Sequence, residues 1–222
     1  MKRTDHKNTG GQVTLWCTRE KALASLRDSL LPEAMILLDT FKLVDECSRK
    51  LEALNSEFGR ICALTLIKAR NLALGCYSLS LDGLAQEAGA LFRPLIEAFE
   101  LLIYFRHNPA GIKEAIDDML PTPGKRAQKI KGQHQELREH LNKHASHLSV
   151  SNESMRHLID FNQGALKLSQ PHNDEVLRKN LHSLLAIILL VADEAIECVS
   201  VGSSKVDMDL VYHTNQIHGK YN

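Results

Sequence analysis

The chain has 222 residues, an ordinary apolar share of 44%, and Lys plus Arg equal to Asp plus Glu at 27 each. That length suits one domain with a real core, and the zero formal charge excludes any whole-molecule attraction to nucleic acid or anionic membrane, so such binding needs a local patch. Aromatics at 5%, beside abundant Leu and Ala, favour helices over a β-sandwich.

Five cysteines, Cys17, Cys47, Cys62, Cys76 and Cys198, are odd in number, widely spaced and free of any Cys-x-x-Cys pair. This speaks against a disulfide framework or a zinc ribbon and for a reducing compartment. The N-terminus, Met1-Lys2-Arg3-Thr4-Asp5, lacks the apolar core of a signal peptide. The most apolar run, residues 184–192, stops at Asp193, well short of the ~20 residues that span a bilayer. A soluble, cytoplasmic protein is expected, with no membrane partner.

In chain order, residues 1–17 are polar, carry Gly10 and Gly11, and read as a flexible arm. Thr18 can cap a first helix through Ala22, Leu23, Leu26 and Leu30. Pro32 fits the first turn of a second helix, with Glu33 beside its positive end. Asn55 or Ser56 starts a third, which runs toward Asp82 and Gly83. A fourth covers 84–105, with a kink expected at Pro94. A short helix is expected in 110–120, and Pro121-Thr122-Pro123-Gly124 is a break. A fifth long helix is read over 125–146, and a short one near 155–161. The last strong helix begins at Asn173-Asp174-Glu175 and runs to Val201, with Gly202 as its stop. Residues 203–222 lack periodicity and read as a tail. Gly75, Gly83 and Gly89 are expected at close helix approaches or joins. No strand hairpin, internal repeat or Gly-rich phosphate loop is evident. These elements predict an all-α fold, an antiparallel bundle of five to six helices: arm 1–17, a single helical-bundle domain 18–202, and tail 203–222.

Two places can carry chemistry. Arg93 and Glu97 stand four apart on an almost wholly apolar helix and can meet as a partly buried ion pair. Such a pair is either a clamp between helices, or an anion site in which Arg93 binds phosphate and Glu97 orients it or acts as a base. The second place is the segment 125–147. Lys125, Arg126, Lys129, Lys131, Arg138 and Lys143 there outnumber Glu136 and Glu139, which makes a local positive face suited to phosphates. The same charges equally suit a solvated helix face. Five of the eleven histidines lie from His134 to His157, and in a helix His140, His144 and His147 share one face. Neutral imidazoles so placed could share a divalent ion. No His-Glu-x-x-His arrangement is present and no carboxylate completes the shell, so neither a metal nor another cofactor is called for.

Arg138 followed by His144 resembles the loose Arg-x4–6-His pattern of the HEPN superfamily, small all-helical proteins that include many RNases of toxin–antitoxin and anti-phage systems. The stretches Asp82-Gly83-Leu84-Ala85-Gln86-Glu87-Ala88 and Arg93-Pro94-Leu95-Ile96-Glu97-Ala98 resemble an allied group of bacterial helical proteins. There a Gly-x-Glu-Ala-Arg-x-x-Glu progression precedes a helix ending in Asn, Ser and His, which here are Asn142, Ser146 and His147. The chain departs from the stricter pattern at Glu139, where an amide usually follows the Arg. Six residues also turn a helix by about 600°, which sets Arg138 and His144 roughly 120° apart.

The resemblance implies a metal-independent endoribonuclease or RNA-binding protein acting as a homodimer, with a cognate antitoxin or neutralising protein as a further partner. His144 or His147 would transfer the proton. Arg138, with Arg93, would stabilise charge on the phosphate, and Asn142 and Ser146 would orient the reacting groups. The alternatives are a non-enzymatic helical interaction module and a metal-dependent hydrolase built on His140, His144 and His147.

Overall fold

The computed structural model describes residues 11–130, 158–160, 165–166 and 171–221. Eight helices stand among them: α1 (Gly11–Arg27), α2 (Leu31–Ala53), α3 (Glu57–Leu81), α4 (Ala85–His107), α5 (Ala110–Ile116), α6 (Pro123–Lys129), α7 (Asp174–Ser203) and α8 (Met208–Tyr221). A two-residue strand, β1 (Ile159–Asp160), pairs antiparallel with β2 (Ala165–Leu166), Ile159 opposite Leu166.

Local chemistry explains where the long helices start and stop. The Ser56 hydroxyl accepts the Gly59 N–H at 3.0 Å and opens α3. The Asn173 side chain accepts the Val176 N–H at 3.0 Å and opens α7, whose first turn carries Asp174 and Glu175 against the positive end of the dipole. Gly83, at φ 77°, turns the chain from α3 into α4. Pro94 lies inside α4 and removes one helix hydrogen bond without ending the helix.

The long helices α2, α3, α4 and α7 make the core. Each packs against the next in that order, α7 returns to α2, and α3 also lies against α7. Leu43, Leu51, Leu66, Leu95, Leu102, Leu184 and Ile188 are sealed at this junction, each burial contributing about 1.5–3 kcal/mol. Gly75 lets α3 approach α4 closely, since a Cβ there would sit 2.9 Å from Leu91 Cδ1. Cys47, Cys62, Cys76 and Cys198 are free thiols filling this core, while Cys17 is exposed. Burial pushes the Cys47 and Cys76 thiols up to about 12. Among the described residues no helix is long and apolar enough to cross a membrane.

Several expected boundaries move. α1 begins at Gly11 rather than Thr18, so Thr18 is a buried residue within the helix and not its cap. The C-terminal stretch read as a tail holds α8. Leu210, Thr214 and Ile217 fall at i, i+4 and i+7 and are buried, but with a threonine at the centre of the stripe the apolar signal is faint. Gly202 does not stop α7, which runs to Ser203 and turns at Ser204 with φ 56°. Gly202 instead gives passage to Leu54, whose Cδ1 would lie 2.4 Å from a Cβ.

Of the long helix expected over 125–146, the first residues belong to α6, which ends at Lys129 with Ile130 as its C-cap, and residues 131–146 lie outside the described residues. Ile159 and Asp160, expected near a short helix, are in β1 instead, where a β-branched side chain suits the extended backbone.

Candidate functional site

Helix α4 is apolar on most of its circumference, and that makes one stripe of it conspicuous. Arg93, Glu97, Glu100 and Tyr104 follow one another at i, i+4, i+7 and i+11, which places all four on one face. Arg93 Nε donates to Glu97 Oε1 at 3.0 Å, with the two side chains 33% and 22% exposed. The pair expected from the sequence is thus formed and partly buried. Deeper along the stripe, Glu100 is 2% exposed and Tyr104 1%.

Helix α6 lies across this stripe. Arg126 is 9% exposed and feels Glu97, Glu100 and Tyr104. Burial lowers its affinity for its proton from the usual arginine value, against the pull of those three groups. Its Nη1 donates to the Pro121 carbonyl at 2.5 Å, and its Nε is buried with no hydrogen-bond partner among the described residues. Lys129 Nζ donates to the Tyr104 hydroxyl at 3.2 Å and stands 5.3 Å from the ring centroid, a cation–π distance. The Tyr104 hydroxyl in turn donates to Glu114 Oε2 at 2.7 Å from α5. Three cations, three carboxylates and a phenol are therefore strung along this face of α4. Arg93 pairs with Glu97 at one end, and Arg126 lies against Glu97, Glu100 and Tyr104. Lys129 and Glu114 join Tyr104 at the other end, about 16 Å away. Of these cations Arg93, a third exposed, is the one an anion could reach, whereas Arg126 is buried against Glu97 and Glu100.

The structure thus brings together Arg93, Glu97, Arg126 and Lys129 from the sequence-derived set. Lys125 is exposed, whereas Arg126 turns inward instead of lying on a solvated face. Arg138, Asn142, His144, Ser146 and His147, and with them the His140 metal alternative, lie outside the described residues. Sequence reasoning missed Glu100, Tyr104 and Glu114. Glu100 and Tyr104 extend the Arg93–Glu97 register and were findable by continuing it; Glu114, on another helix, was not.

A second polar cluster ties α1 to α7. Ser25 Oγ lies 2.9 Å from His172 Nε2 and donates to Asp174 Oδ1 at 2.6 Å, while His172 Nε2 is itself 2.6 Å from that oxygen. Ser29 Oγ donates to Asp174 Oδ2 at 3.0 Å. A serine hydrolase relay needs the two ring nitrogens to serve different partners, one the serine and one the carboxylate. Here one nitrogen meets both, so the three residues clasp two helices and do not activate the serine.

In comparisons with protein-family models, curated proteins and solved structures, the chain has no match in any of the three.

Proposed function

We propose that this chain is a HEPN-like antiparallel helical-bundle protein that binds RNA and cleaves it without a metal ion, as a cytoplasmic homodimer within a bacterial toxin–antitoxin or anti-phage system. One observation supports it beyond the resemblance: a charged stripe kept on the inward side of α4. Buried charges cost several kcal/mol unless well paired, and apolar residues would stabilise the bundle as well or better. Such charges cluster at functional sites as well as in structural ion pairs, and on the RNA reading this stripe is the former.

In this reading Arg93 meets the phosphate and Glu97 holds its guanidinium in place. Arg138 adds positive charge to the phosphate in the transition state. His144 or His147 takes the 2′-hydroxyl proton or protonates the leaving oxygen, with Asn142 and Ser146 orienting them. Lys125 supplies a sequence-independent backbone contact.

Binding of a labelled RNA, followed across a salt series, tests this. Arg93→Ala weakens binding about tenfold, the loss of one charge-assisted contact, and Lys125→Glu flattens the salt dependence. Affinity unchanged in both variants overturns the reading.

A second reading, a non-enzymatic interaction module, draws on two features. Arg126 spends its charge inside the protein on α4, and the exposed Lys129 is held against Tyr104. Leu31, Met35 and Leu38 form an exposed apolar row on α2, each close to half exposed. Intact RNA binding without cleavage, or a partner held on that row, would favour it.

A further inference from the structure

The last helix, α8, is held differently from the four that make the core. It rests chiefly on α2 and also on α7. It buries only Leu210, Thr214 and Ile217, with Val211 and Tyr221 half-buried beside them. The stripe of α2 that meets it, Asp39, Leu43, Glu46 and Lys50, has one apolar residue in four.

Polar contacts supply the rest. Lys50 Nζ donates to Asp207 Oδ2 at 2.5 Å just ahead of α8, and Lys220 Nζ donates to Asp39 Oδ2 at 3.0 Å near its end. Between them His213 Nδ1 stands 3.7 Å from Glu46 Oε2. Asp193 on α7 accepts from Thr214 Oγ1 at 3.0 Å and lies 3.1 Å from His218 Nε2. In each of the four pairs one side chain is about a third exposed or more. Pairs so exposed add little stability each, and less as salt rises.

The connection to α7 is loose as well. Residues 204–206 are exposed, and Ser204 holds a left-handed backbone, φ 56°, that residues other than glycine seldom adopt. A rotation at Ser204 would relieve that strain.

We propose that α8 is a latch, hinged at Ser204, that swings off α2 and α7 as a unit while α2, α3, α4 and α7 stay packed. The opening is local, drawn from the low-stability end of the fold. It is independent of the RNA reading above.

The four buried thiols distinguish this opening from unfolding of the core. Cys47 on α2 lies beside the start of α8, close enough to feel Asp207 as well as its neighbours Glu46 and Lys50. The other three stand on the α3–α4 side of the core. Cys76 reaches the Ala88 carbonyl and Cys198 the Leu102 carbonyl, both on α4, and Cys198 meets Cys62 of α3.

The test is timed labelling of the folded full chain with N-ethylmaleimide, read cysteine by cysteine from peptide masses. Cys17, which is exposed, reacts at once and shows the reagent to be active. Cys47 is expected to react roughly tenfold faster or more than Cys62, Cys76 and Cys198, which wait for the core to open. Lys50→Ala with Lys220→Ala removes an ion pair at each end of α8 and should speed Cys47 about fivefold. Leu210→Ala removes a buried anchor and should speed it about thirtyfold or more. In both variants the other three buried thiols keep their rates. Cys47 no faster than those three in the wild type overturns the proposal. So does a Cys47 rate unmoved in both variants, or all four buried thiols speeding together.

Discussion

Arg106 on α4 grips Glu194 on α7 with two hydrogen bonds, Nε to Oε1 at 2.5 Å and Nη2 to Oε2 at 3.0 Å, inside the seam between the two helices. Burial pushes the Glu194 carboxyl above the usual carboxylate range, and Arg106 pulls it back only in part. Removing one partner of such a pair strands the other charge. Arg106→Leu is therefore expected to destabilise the fold by about 3–5 kcal/mol near neutrality. Without Arg106 the folded-state carboxyl rises further above its unfolded value. The charge-dependent loss is then largest at neutral pH, shrinks as the pH falls through the raised folded-state range, and is gone below the unfolded carboxylate range, where Glu194 is protonated in both states. Denaturant melts at neutral and mildly acid pH check this. The double variant Arg106→Leu/Glu194→Leu recovers most of the loss, and an equal loss at both pH values contradicts the account.

The clasp of α1 on α7 has the opposite sign. The Asp174 carboxyl is held below its usual range first by the Ser25 hydroxyl, then by His172 and Ser29. A depressed folded pKa gives stability that is present above the unfolded value and lost as pH falls through the folded one. Protection of the α1 amides against hydrogen exchange should therefore fall as the pH drops below about 3.9, the ordinary aspartate value. Asp174→Asn should show weak protection of α1 at every pH. Protection of α1 that follows the rest of the fold in both proteins would contradict this.

Gly59 sits buried in the first turn of α3, where a Cβ would lie 2.3 Å from the Leu51 carbonyl oxygen. That oxygen belongs to the backbone and cannot rotate away. Gly59→Ala is thus expected to lower stability by about 1–3 kcal/mol through overpacking, although alanine favours a helix interior by about 1 kcal/mol. A thermal melt decides it, and an unchanged or higher midpoint contradicts the packing described here.

How much of this was legible beforehand varies with the range of the interaction. Ser56, Asn173 and the stripe of α7 are local signals, and the helices they open stand where the sequence puts them. Arg93 and Glu97 are four apart on one helix and could be paired by spacing alone. Arg106 and Glu194 are separated by 88 residues, and Ser25 and Asp174 by 149, so nothing in local periodicity joins them. α8 was hidden because a buried Thr214, which donates to Asp193 Oδ1 at 3.0 Å, occupies a position where an apolar residue would have shown the stripe. Gly202 misled because a glycine that makes room for Leu54 looks, in sequence, like a glycine that ends a helix. The inward turn of Arg126 was equally hidden, since a cationic run has the same composition whether it faces water or the carboxylates of α4.

Cleavage of end-labelled RNA by the purified chain in excess EDTA, beside Arg93→Ala and a His144→Ala/His147→Ala double variant, tests the central proposal most directly. The account predicts discrete fragments from the wild type, and intact RNA with both variants, each retaining a cooperative melt. Intact RNA in every lane, or fragments undiminished in the variants, would contradict it.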